Sequence, residues 1–161
     1  MPFPPALTID RPTVDDGSAL WRIARDSEVL DLNSPYSYLL WCRDFADTSA
    51  VARHRGEPVA FVTGYLRPDR PGTLFVWQIA VDGAHRGRGL AGTLLDALTA
   101  RTAASAVETT ITPDNTASRA LFASYAARHR AEVEETVLFD DGLFPGAGHE
   151  SEVLHRIGPL R

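Results

Sequence analysis

Short apolar runs alternate along the chain with segments whose apolar residues recur every three or four positions. Short apolar runs favour β-strands, and the three-to-four spacing is typical of helices that bury one face. The runs predict about seven strands, at residues 6–10, 49–53, 59–66, 74–81, 107–112, 133–139 and 152–157. The helical spacing predicts about four helices, at residues 13–27, 34–45, 90–98 and 116–128. This order is typical of an α/β (mixed α+β) fold, in which helices flank a central twisted sheet.

Cap and turn residues mark several of these predicted boundaries. Thr13 can cap the first helix, and Ser34 followed by Pro35 is a favoured cap and first-turn pair for the second. Residues 31–33 read as the loop between these two helices. Residues 55–58, Arg-Gly-Glu-Pro, are typical of the turn of a β-hairpin.

The segment between the fourth strand and the third helix carries the clearest chemical signal. Residues 86–91 read Arg-Gly-Arg-Gly-Leu-Ala. The glycines let the backbone bend with little steric obstruction, and the unpaired N–H groups of a helix N-terminus attract anions. Arg86 and Arg88 add positive charge. The segment therefore predicts a cradle for a phosphate or pyrophosphate group.

Composition narrows the possible functions. The 161 residues carry a net charge of −5 and are 44% hydrophobic, which suits one globular domain over residues 1–161, with residues 1–5 as a flexible N-terminus. All 16 cationic side chains are arginine, which excludes a P-loop and lysine Schiff-base chemistry. The only cysteine, Cys42, cannot form an internal disulfide and is expected in the core. The charge and the lack of a membrane-length apolar run predict a cytoplasmic protein without a nucleic-acid or membrane partner.

Two spacings resemble those of the GCN5-related N-acetyltransferases. Residues 86–91 match the family's Gln/Arg-x-x-Gly-x-Gly/Ala pattern, and residues 115–122 are similar to its Asn-x-x-Ala-x-x-Leu-Tyr helix. A dinucleotide-binding Rossmann motif would need a third glycine and a suitably placed acidic residue. The resemblance implies the family's fold with acetyl-CoA as co-substrate, its pyrophosphate on the glycine loop and its pantetheine arm paired with the preceding strand. The cofactor contacts that it implies are Ile79, Ala80, Val81, Arg86, Gly87, Arg88, Gly89, Leu90, Ala91, Asn115, Ser118 and Phe122.

A closer resemblance covers almost all of residues 11–159. The chain resembles the L-2,4-diaminobutyrate acetyltransferases of ectoine biosynthesis in Asp-Leu-Asn-Ser-x-Tyr-x-Tyr-Leu-Leu at 31–40, Phe-Ala-Asp-Thr-Ser at 45–49, Phe-Val-Trp-Gln at 75–78, residues 112–122, Leu-Phe-Pro at 143–145 and His-Glu-x-Glu-Val-Leu at 149–154. That family acetylates the terminal amine of L-2,4-diaminobutyrate, and a separate enzyme cyclises the product to the osmolyte ectoine. The resemblance implies this activity for the chain, a role in osmotic stress and a homodimer.

Acetyl transfer to an amine needs a proton acceptor, because an alkyl ammonium group is protonated at neutral pH and only the free amine attacks. Glu108 is the leading candidate, since it begins the strand expected to diverge from the 74–81 strand; the alternative is a solvent-facing carboxylate at a strand end. Asp31 is the next candidate, and its alternative is a loop or capping carboxylate. A backbone N–H near Ile79 would donate to the thioester oxygen as its negative charge develops.

The leaving thiolate has no assigned proton donor. Many acetyltransferases carry a tyrosine where this chain has Phe122, whose ring cannot donate a proton. Tyr125 lies nearly a helical turn further on and is a poor substitute. Either water protonates the thiolate or the thiolate leaves unprotonated.

Substrate recognition must bring the terminal amine, rather than the α-amine, to the thioester. Acidic side chains suit the ammonium groups, and aromatic rings can wall the pocket and make cation–π contacts. The predicted substrate contacts are Asp31, Asn33, Ser34, Tyr36, Tyr38, Trp77, His149, Glu150 and Glu152. Core packing is the alternative for Trp77 and for one of the two tyrosines.

Other interpretations remain open beside this one. His149 and His155 lack the spacing of a zinc-binding helix, so no metal site is predicted. The same scaffold could acetylate another small amine or a peptide, or it could be a non-catalytic regulator that binds acyl-CoA. A panel of amines incubated with acetyl-CoA separates these functions.

Overall fold

A computed structural model describes residues 7–161 of the chain. The strands are β1 Leu7–Asp10, β2 Ala50–His54, β3 Glu57–Arg67, β4 Arg70–Val81, β5 Ala106–Ile111, β6 Glu132–Phe139 and β7 Glu152–Gly158. The helices are α1 Gly17–Ser27, α2 Pro35–Asp44, α3 Leu90–Thr102 and α4 Thr116–Arg128. Over residues 7–161, none of the helices is both long enough and apolar enough to cross a membrane. The predicted α/β class with seven strands and four helices is confirmed.

The strands form one mixed sheet in the order β1-β2-β3-β4-β5-β7-β6. β4 and β5 run parallel, as the α3 crossover between them requires, and their pairing extends from Thr73 opposite Ala106 to Val76 opposite Thr109. β5 pairs with β7, and β7 with β6, in antiparallel fashion. The sheet therefore changes from parallel to antiparallel pairing at β5, which has a neighbour of each kind.

The hairpin that joins β3 to β4 was absent from the sequence prediction. β4 begins at Arg70, four positions before the predicted start at residue 74, because residues 68–69 form a tight turn after β3. Arg67 and Asp69 form an ion pair across this turn, with Nη2 of the arginine 3.1 Å from a carboxylate oxygen. The predicted start of β4 is too late because residues 70–73, Arg-Pro-Gly-Thr, carry no apolar strand pattern, and the turn that precedes them is what places them in the strand.

Two helix boundaries also differ from those predicted. Thr13 begins a short 3-10 turn, Val14–Asp16, and α1 starts only after it. α3 continues beyond the predicted residue 98 to Thr102 and ends where Ala103 adopts a left-handed conformation (φ +53°). Of the predicted first strand, residue 6 lies outside the described residues, as does the expected flexible segment 1–5.

The residues group into two compact units, and the first comprises the described residues up to Tyr65 together with Trp77–Ala103. Its α1 buries one face, on which three apolar residues at helical spacing are each 1% exposed: Leu20, Ile23 and Ala24. They pack in one cluster with Tyr38, Cys42, Val51, Phe61 and Ala80. Burying a large aliphatic side chain contributes about 2 kcal/mol, so this cluster supplies much of the unit's stability.

A buried ion pair attaches the start of α1 to β2. Arg53 donates to both carboxylate oxygens of Asp16, at 2.6 and 2.7 Å, and the Thr13 backbone N–H donates to the second oxygen at 2.7 Å. Burial alone would raise the pKa of Asp16, but these hydrogen bonds together hold it below its ordinary value of 3.8. The turn before α1 is therefore attached to the sheet by charge as well as by apolar packing.

The second unit comprises Leu66–Val76 and Ala104–Arg161. Its buried apolar side chains come from β4, β5, α4 and β7: Leu74, Val76, Ala106, Val107, Ile111, Phe122, Tyr125, Ala126 and Ile157. β6 is an edge strand on which all eight residues are exposed. The core of this unit thus lies between α4 and the strands β5 and β7.

Candidate active site

The predicted anion cradle lies in the first unit, in the loop that leads into α3. Gly87 and Gly89 have φ values of +80° and +70°, a left-handed conformation that side-chain-bearing residues rarely adopt, and Gly89 is the residue before the helix. No atom of residues 7–161 lies within 4 Å of the position that a Cβ would take at either glycine, so that part of the chain leaves the backbone there uncovered. The loop geometry therefore fits an anion approaching the helix N-terminus.

The other residues of the predicted cradle divide between the core and the surface. Leu90 is buried and Ala91 half-buried, so these two residues offer their backbone rather than their side chains. Arg86 and Arg88 are both exposed. Arg86 bends back along the loop, and its Nε donates to the Val81 carbonyl at 3.4 Å. The backbone supplies directed N–H groups, and the arginines add charge that can reach a bound anion.

The cofactor-strand residues Ile79, Ala80 and Val81 form the end of β4. Ala80 is buried and packs into the α1–α2 cluster, while Ile79 and Val81 are half-buried. In the pairing with β5, the last β4 residue is Val76, so these three residues come after the parallel ladder. Backbone groups of strand residues beyond a ladder are those that an extended ligand can use.

Asp31 lies in the loop before α2, and β4 holds this loop in place. The Gln78 side-chain nitrogen donates to the Asp31 carbonyl at 2.8 Å, and the Asp31 side chain itself is exposed. Asn33 donates from its side chain to the same carbonyl at 3.2 Å. Ser34 caps α2, its hydroxyl accepting from the Ser37 backbone N–H. Asn33 and Ser34 are thus both engaged in the local structure of the loop.

The two tyrosines predicted to wall the pocket have opposite environments. Tyr36 is 60% exposed on α2. Tyr38 is fully buried, and its hydroxyl donates to Oε1 of Gln78 at 2.8 Å. Burial raises the pKa of Tyr38, although its polar neighbours Asn33 and Gln78 oppose this change. The alternative of core packing therefore describes Tyr38, because its ring fills the apolar cluster rather than lining a cavity.

Trp77 combines packing with exposure. Its ring stacks on Trp41 with centroids 4.7 Å apart and an interplanar angle of 8°, and it lies 6.0 Å from the Tyr38 ring. The side chain is half-buried and packs on the edge of the α1–α2 cluster. Trp77 is therefore held rigidly by α2 while part of its surface stays available to a ligand.

Glu108 is placed differently from the prediction. It is the third residue of β5, not the first, and it is 3% exposed, so neither a strand-beginning nor a solvent-facing carboxylate describes it. Arg67 donates to its two oxygens at 3.1 and 3.4 Å, and Arg156 donates to Oε2 at 2.8 Å. Arg156 also donates to the Thr73 hydroxyl at 3.2 Å. Two guanidinium groups therefore occupy the carboxylate that the sequence suggested as the base.

The predicted cofactor residues of α4 are the helix cap and one buried face. Asn115 caps the helix, its side-chain oxygen accepting from the Ser118 backbone N–H at 3.1 Å. Ser118 is half-buried and Phe122 is 3% exposed. Tyr125 is fully buried, with its ring 4.3 Å from that of His129. Burial of Tyr125 makes it unsuited to protonating a thiolate at the surface of the helix.

The predicted contacts His149 and Glu150 lie in the loop before β7, and Glu152 is the first residue of that strand. The His149 ring stacks on Phe144 at 3.7 Å, and its Nδ1 lies 2.6 Å from the Glu150 carbonyl. Glu150 is exposed, and its hydrogen bond with the Asp114 carboxyl raises its pKa. Glu152 begins β7, half-buried, with a carboxylate oxygen 3.9 Å from Nε2 of His149. The carboxylate near the His149 ring is therefore that of Glu152, whereas the Glu150 carboxyl bonds to Asp114.

His155 has surroundings unlike those of His149. It is buried within β7, and its Nε2 lies 3.5 Å from the Glu135 carboxylate of β6. Burial lowers the pKa of His155, and the Glu135 charge opposes this change. The two histidines thus have different partners: His149 lies in the loop near Glu152, and His155 lies within β7 near Glu135.

Sequence reasoning missed three polar residues that organise these elements: Gln78, Arg67 and Arg156. Gln78 enters the sequence analysis only as part of Phe-Val-Trp-Gln at residues 75–78, which supports the family resemblance. A glutamine among apolar strand residues is nevertheless a signal for a buried side chain that makes hydrogen bonds. The arginines had no such signal, because their partner Glu108 is 41 and 48 positions away.

Comparisons with known proteins show which family the chain is similar to. A sequence model of the acetyltransferase (GNAT) family matches residues 17–126. The chain is 72% identical to an L-2,4-diaminobutyric acid acetyltransferase of Streptomyces anulatus, covering 96% of this chain and 90% of that protein, and 64% identical to the protein of the same name in Streptomyces avermitilis, covering 98% and 91%. Among solved structures, a diaminobutyrate acetyltransferase from Paenibacillus lautus, in complex with its substrate L-2,4-diaminobutyric acid and coenzyme A, superposes with a TM-score of 0.89 at 41% identity over 95% of both chains.

Proposed function

This chain belongs to the GNAT acetyltransferase family, and we propose that it transfers the acetyl group of acetyl-CoA to the 4-amino group of L-2,4-diaminobutyrate. The observation that carries the proposal is the similarity, along nearly the whole chain, to proteins that bear this activity as their name. The product is N4-acetyl-L-2,4-diaminobutyrate. The whole chain is proposed to act as one acetyltransferase domain.

The glycine loop is proposed to bind the pyrophosphate of acetyl-CoA. Gly87 and Gly89 give the loop its left-handed turns, which aim backbone N–H groups outward at the start of α3. Arg86 and Arg88 are close enough in sequence to neutralise phosphate charge at the same loop. Within the second unit, Asn115 and Ser118 at the start of α4 are proposed as further cofactor contacts.

The end of β4 is proposed to activate the acetyl group. Acetyl-CoA supplies a thioester, which is an activated acyl donor. The backbone N–H of Ile79 donates a hydrogen bond to the thioester oxygen, so negative charge that develops there during attack is stabilised. The free amine nitrogen bonds to the acetyl carbon, and the carbonyl electron pair moves onto the oxygen. When this intermediate collapses, the carbon–sulfur bond breaks with its electron pair on the CoA sulfur, and the nitrogen releases its second proton to water.

Asp31 is proposed as the group that accepts the proton from the substrate ammonium, directly or through a water molecule. Its side chain is exposed on a loop that β4 holds in place. Glu108 is the weaker candidate, because accepting a proton there means breaking hydrogen bonds from Arg67 and Arg156 inside a buried network. The ammonium requires such a group, since an alkyl ammonium is almost fully protonated at neutral pH.

Substrate binding is proposed to use one aromatic face and acidic side chains. Trp77, rigidly stacked on Trp41, offers a face for a cation–π contact with an ammonium group. Glu152 is the better of the two β7-loop acids, because Glu150 is hydrogen-bonded to Asp114. Tyr36, Asn33, Ser34 and His149 remain proposed contacts, whereas Tyr38 contributes from the core. The thiolate leaves unprotonated or takes a proton from water.

Regiochemistry of the product tests the proposed function. The purified protein is incubated with acetyl-CoA and L-2,4-diaminobutyrate, release of CoA is followed, and the product is identified by NMR. We expect N4-acetyl-diaminobutyrate as the main product. Release of CoA with a different amine from a panel would assign another substrate, and binding of acetyl-CoA without CoA release with any amine would indicate a regulator.

Three finer properties are proposed from family resemblance. The product is a precursor that a cyclising enzyme converts to ectoine during osmotic stress, the protein acts in the cytoplasm, and two copies form a homodimer. Light scattering on the eluted peak of a size-exclusion column tests the dimer. A mass near that of one 17.6 kDa chain would contradict it.

A further inference from the structure

Gln78 is a buried amide in β4 with both ends of its side chain engaged. It is 4% exposed. Its Nε2 donates to the Asp31 carbonyl at 2.8 Å, and its Oε1 accepts from the Tyr38 hydroxyl at 2.8 Å. One partner accepts and the other donates, so the amide has a single orientation that satisfies both.

Tyr38 supports this attachment from α2. Its hydroxyl donates the bond to Oε1 of Gln78, and its ring is fully buried in the α1–α2 cluster. Residues 31–33 have no regular secondary structure of their own. The place of the loop is therefore determined by two buried side chains, one on β4 and one on α2.

The neighbours of Gln78 on β4 are residues of the proposed reaction site. Trp77 precedes it and stacks on Trp41, and Ile79 follows it with the backbone N–H proposed to face the thioester oxygen. A single side chain thus connects the loop that carries Asp31 to the strand segment that carries Ile79. A change in this connection would move the proposed proton acceptor relative to the acetyl group.

We propose that Gln78 is a positioning residue that sets the distance of the Asp31 loop from the end of β4, and thereby selects which amine of a diamine substrate reaches the thioester. The inference rests on the proposed function. A substrate with two amines separated by a short chain can present either one, and the amines are chemically similar. Fixed contacts at the far end of the substrate make the choice, so the loop that supplies them must not shift.

The test replaces Gln78 by methionine, which keeps the side-chain length but neither donates nor accepts a strong hydrogen bond. Methionine removes both hydrogen bonds of the amide, and in Gln78→Met we expect the KM for diaminobutyrate to rise about tenfold. The N2-acetyl isomer should become detectable, and the KM for acetyl-CoA should not change. Tyr38→Phe keeps the bond between Gln78 and Asp31, so it should change the same quantities in the same direction by less.

Thr99→Val is the matched control. Thr99 is buried in α3, and its hydroxyl donates to the Leu95 carbonyl at 3.0 Å. Valine is close to threonine in shape and removes a buried hydroxyl donor, so it perturbs the core without touching the Asp31 loop. We expect this variant to lose stability while its KM for diaminobutyrate and its product ratio stay at the wild-type values.

Hydrogen exchange of the peptide covering residues 28–34 provides a readout that does not depend on activity. Exchange should be faster in Gln78→Met than in the wild type or in Thr99→Val. Unchanged exchange would overturn the proposal, and so would faster exchange with an unchanged KM and product ratio. If the wild-type protein acetylates no diamine, the proposed function is wrong, and the selection of one amine is wrong with it. The exchange data show separately whether Gln78 holds the loop in place.

Discussion

Glu108 of β5 lies directly opposite Arg156 of β7, and its Oε2 accepts a hydrogen bond of 2.8 Å from Nη1 of the arginine. Arg67, at the end of β3, donates to the same carboxylate. Because the carboxylate is almost fully buried, the two guanidinium groups replace the water that would otherwise solvate it. Within the second unit this network joins Arg67, the last residue of β3, to β5 and β7, and it gives Glu108 a structural role that a strand-end carboxylate would lack.

Replacing Glu108 by glutamine should reduce stability more than it reduces catalysis. The substitution removes the carboxylate that the two arginines share. Arg67 keeps its ion pair with Asp69, and both arginines are about a quarter exposed, so water can solvate them in part. We expect a loss of about 2 kcal/mol in the free energy of unfolding, below the range for a fully buried pair. Urea unfolding measures the loss, and kcat is measured on the folded fraction.

Glu132→Gln is the control for this variant, because Glu132 is an exposed glutamate on the edge strand β6. It should change neither quantity. A Glu108→Gln variant of normal stability whose kcat falls about a hundredfold or more would instead identify Glu108 as the general base.

Asp16→Asn should destabilise the protein in a way that depends on pH. The folded-state pKa of Asp16 is below 3.8, so its ion pair with Arg53 contributes fully above that value and is lost as the pH falls through the folded pKa. We expect a loss of about 3 kcal/mol at pH 7. The difference in the free energy of unfolding between the wild type and the variant should stay constant down to about pH 5 and should become smaller below about pH 4. Denaturant unfolding at several pH values measures it, with exposed Asp15→Asn as the control; a gap that widens in acid would contradict the assignment.

Gly89→Ala should weaken CoA binding beyond its effect on folding. Alanine at φ +70° costs about 1–2 kcal/mol, and relief of that strain would move the backbone N–H groups of the cradle. We expect the Kd for CoA, measured by calorimetry, to rise about tenfold. Gly56→Ala is matched, since Gly56 has φ +84° in the β2–β3 turn and no atom of residues 7–161 lies within 4 Å of an added Cβ there. Equal CoA affinity in the two variants would count against a cradle at residues 86–91.

Cys42 should be unreactive in the native protein. It is 2% exposed, and burial raises the pKa of its thiol to about 11, so the reactive thiolate is scarce near neutral pH. We expect a disulfide reagent to label the native protein no faster than the protein unfolds, and to label it at once in denaturant. Cys42→Ala should retain activity. Rapid labelling of native protein, or loss of activity in the alanine variant, would be inconsistent with a core cysteine.

Local features of this protein were predictable from neighbouring residues alone. Ser34 caps α2 and Asn115 caps α4, as short polar side chains before an apolar helix indicate. Gly87 and Gly89 take positive φ in the loop before α3, where the sequence predicts an anion cradle. In each case the interacting groups lie within a few residues, so the sequence carries the information that determines the geometry.

Burial and charge pairing were decided by the tertiary structure. Two tyrosines separated by one residue, Tyr36 and Tyr38, look alike in sequence, yet one is exposed and the other fills the core beside Gln78, 40 positions away. Glu108 likewise meets its two arginines only when β3, β5 and β7 come together. The sequence by itself determined where α2, α3 and α4 begin, where the backbone can bend and which chemistry the glycine loop suits. Only folding decided which side chains lose water and which charges compensate them, because both depend on partners that are distant along the chain.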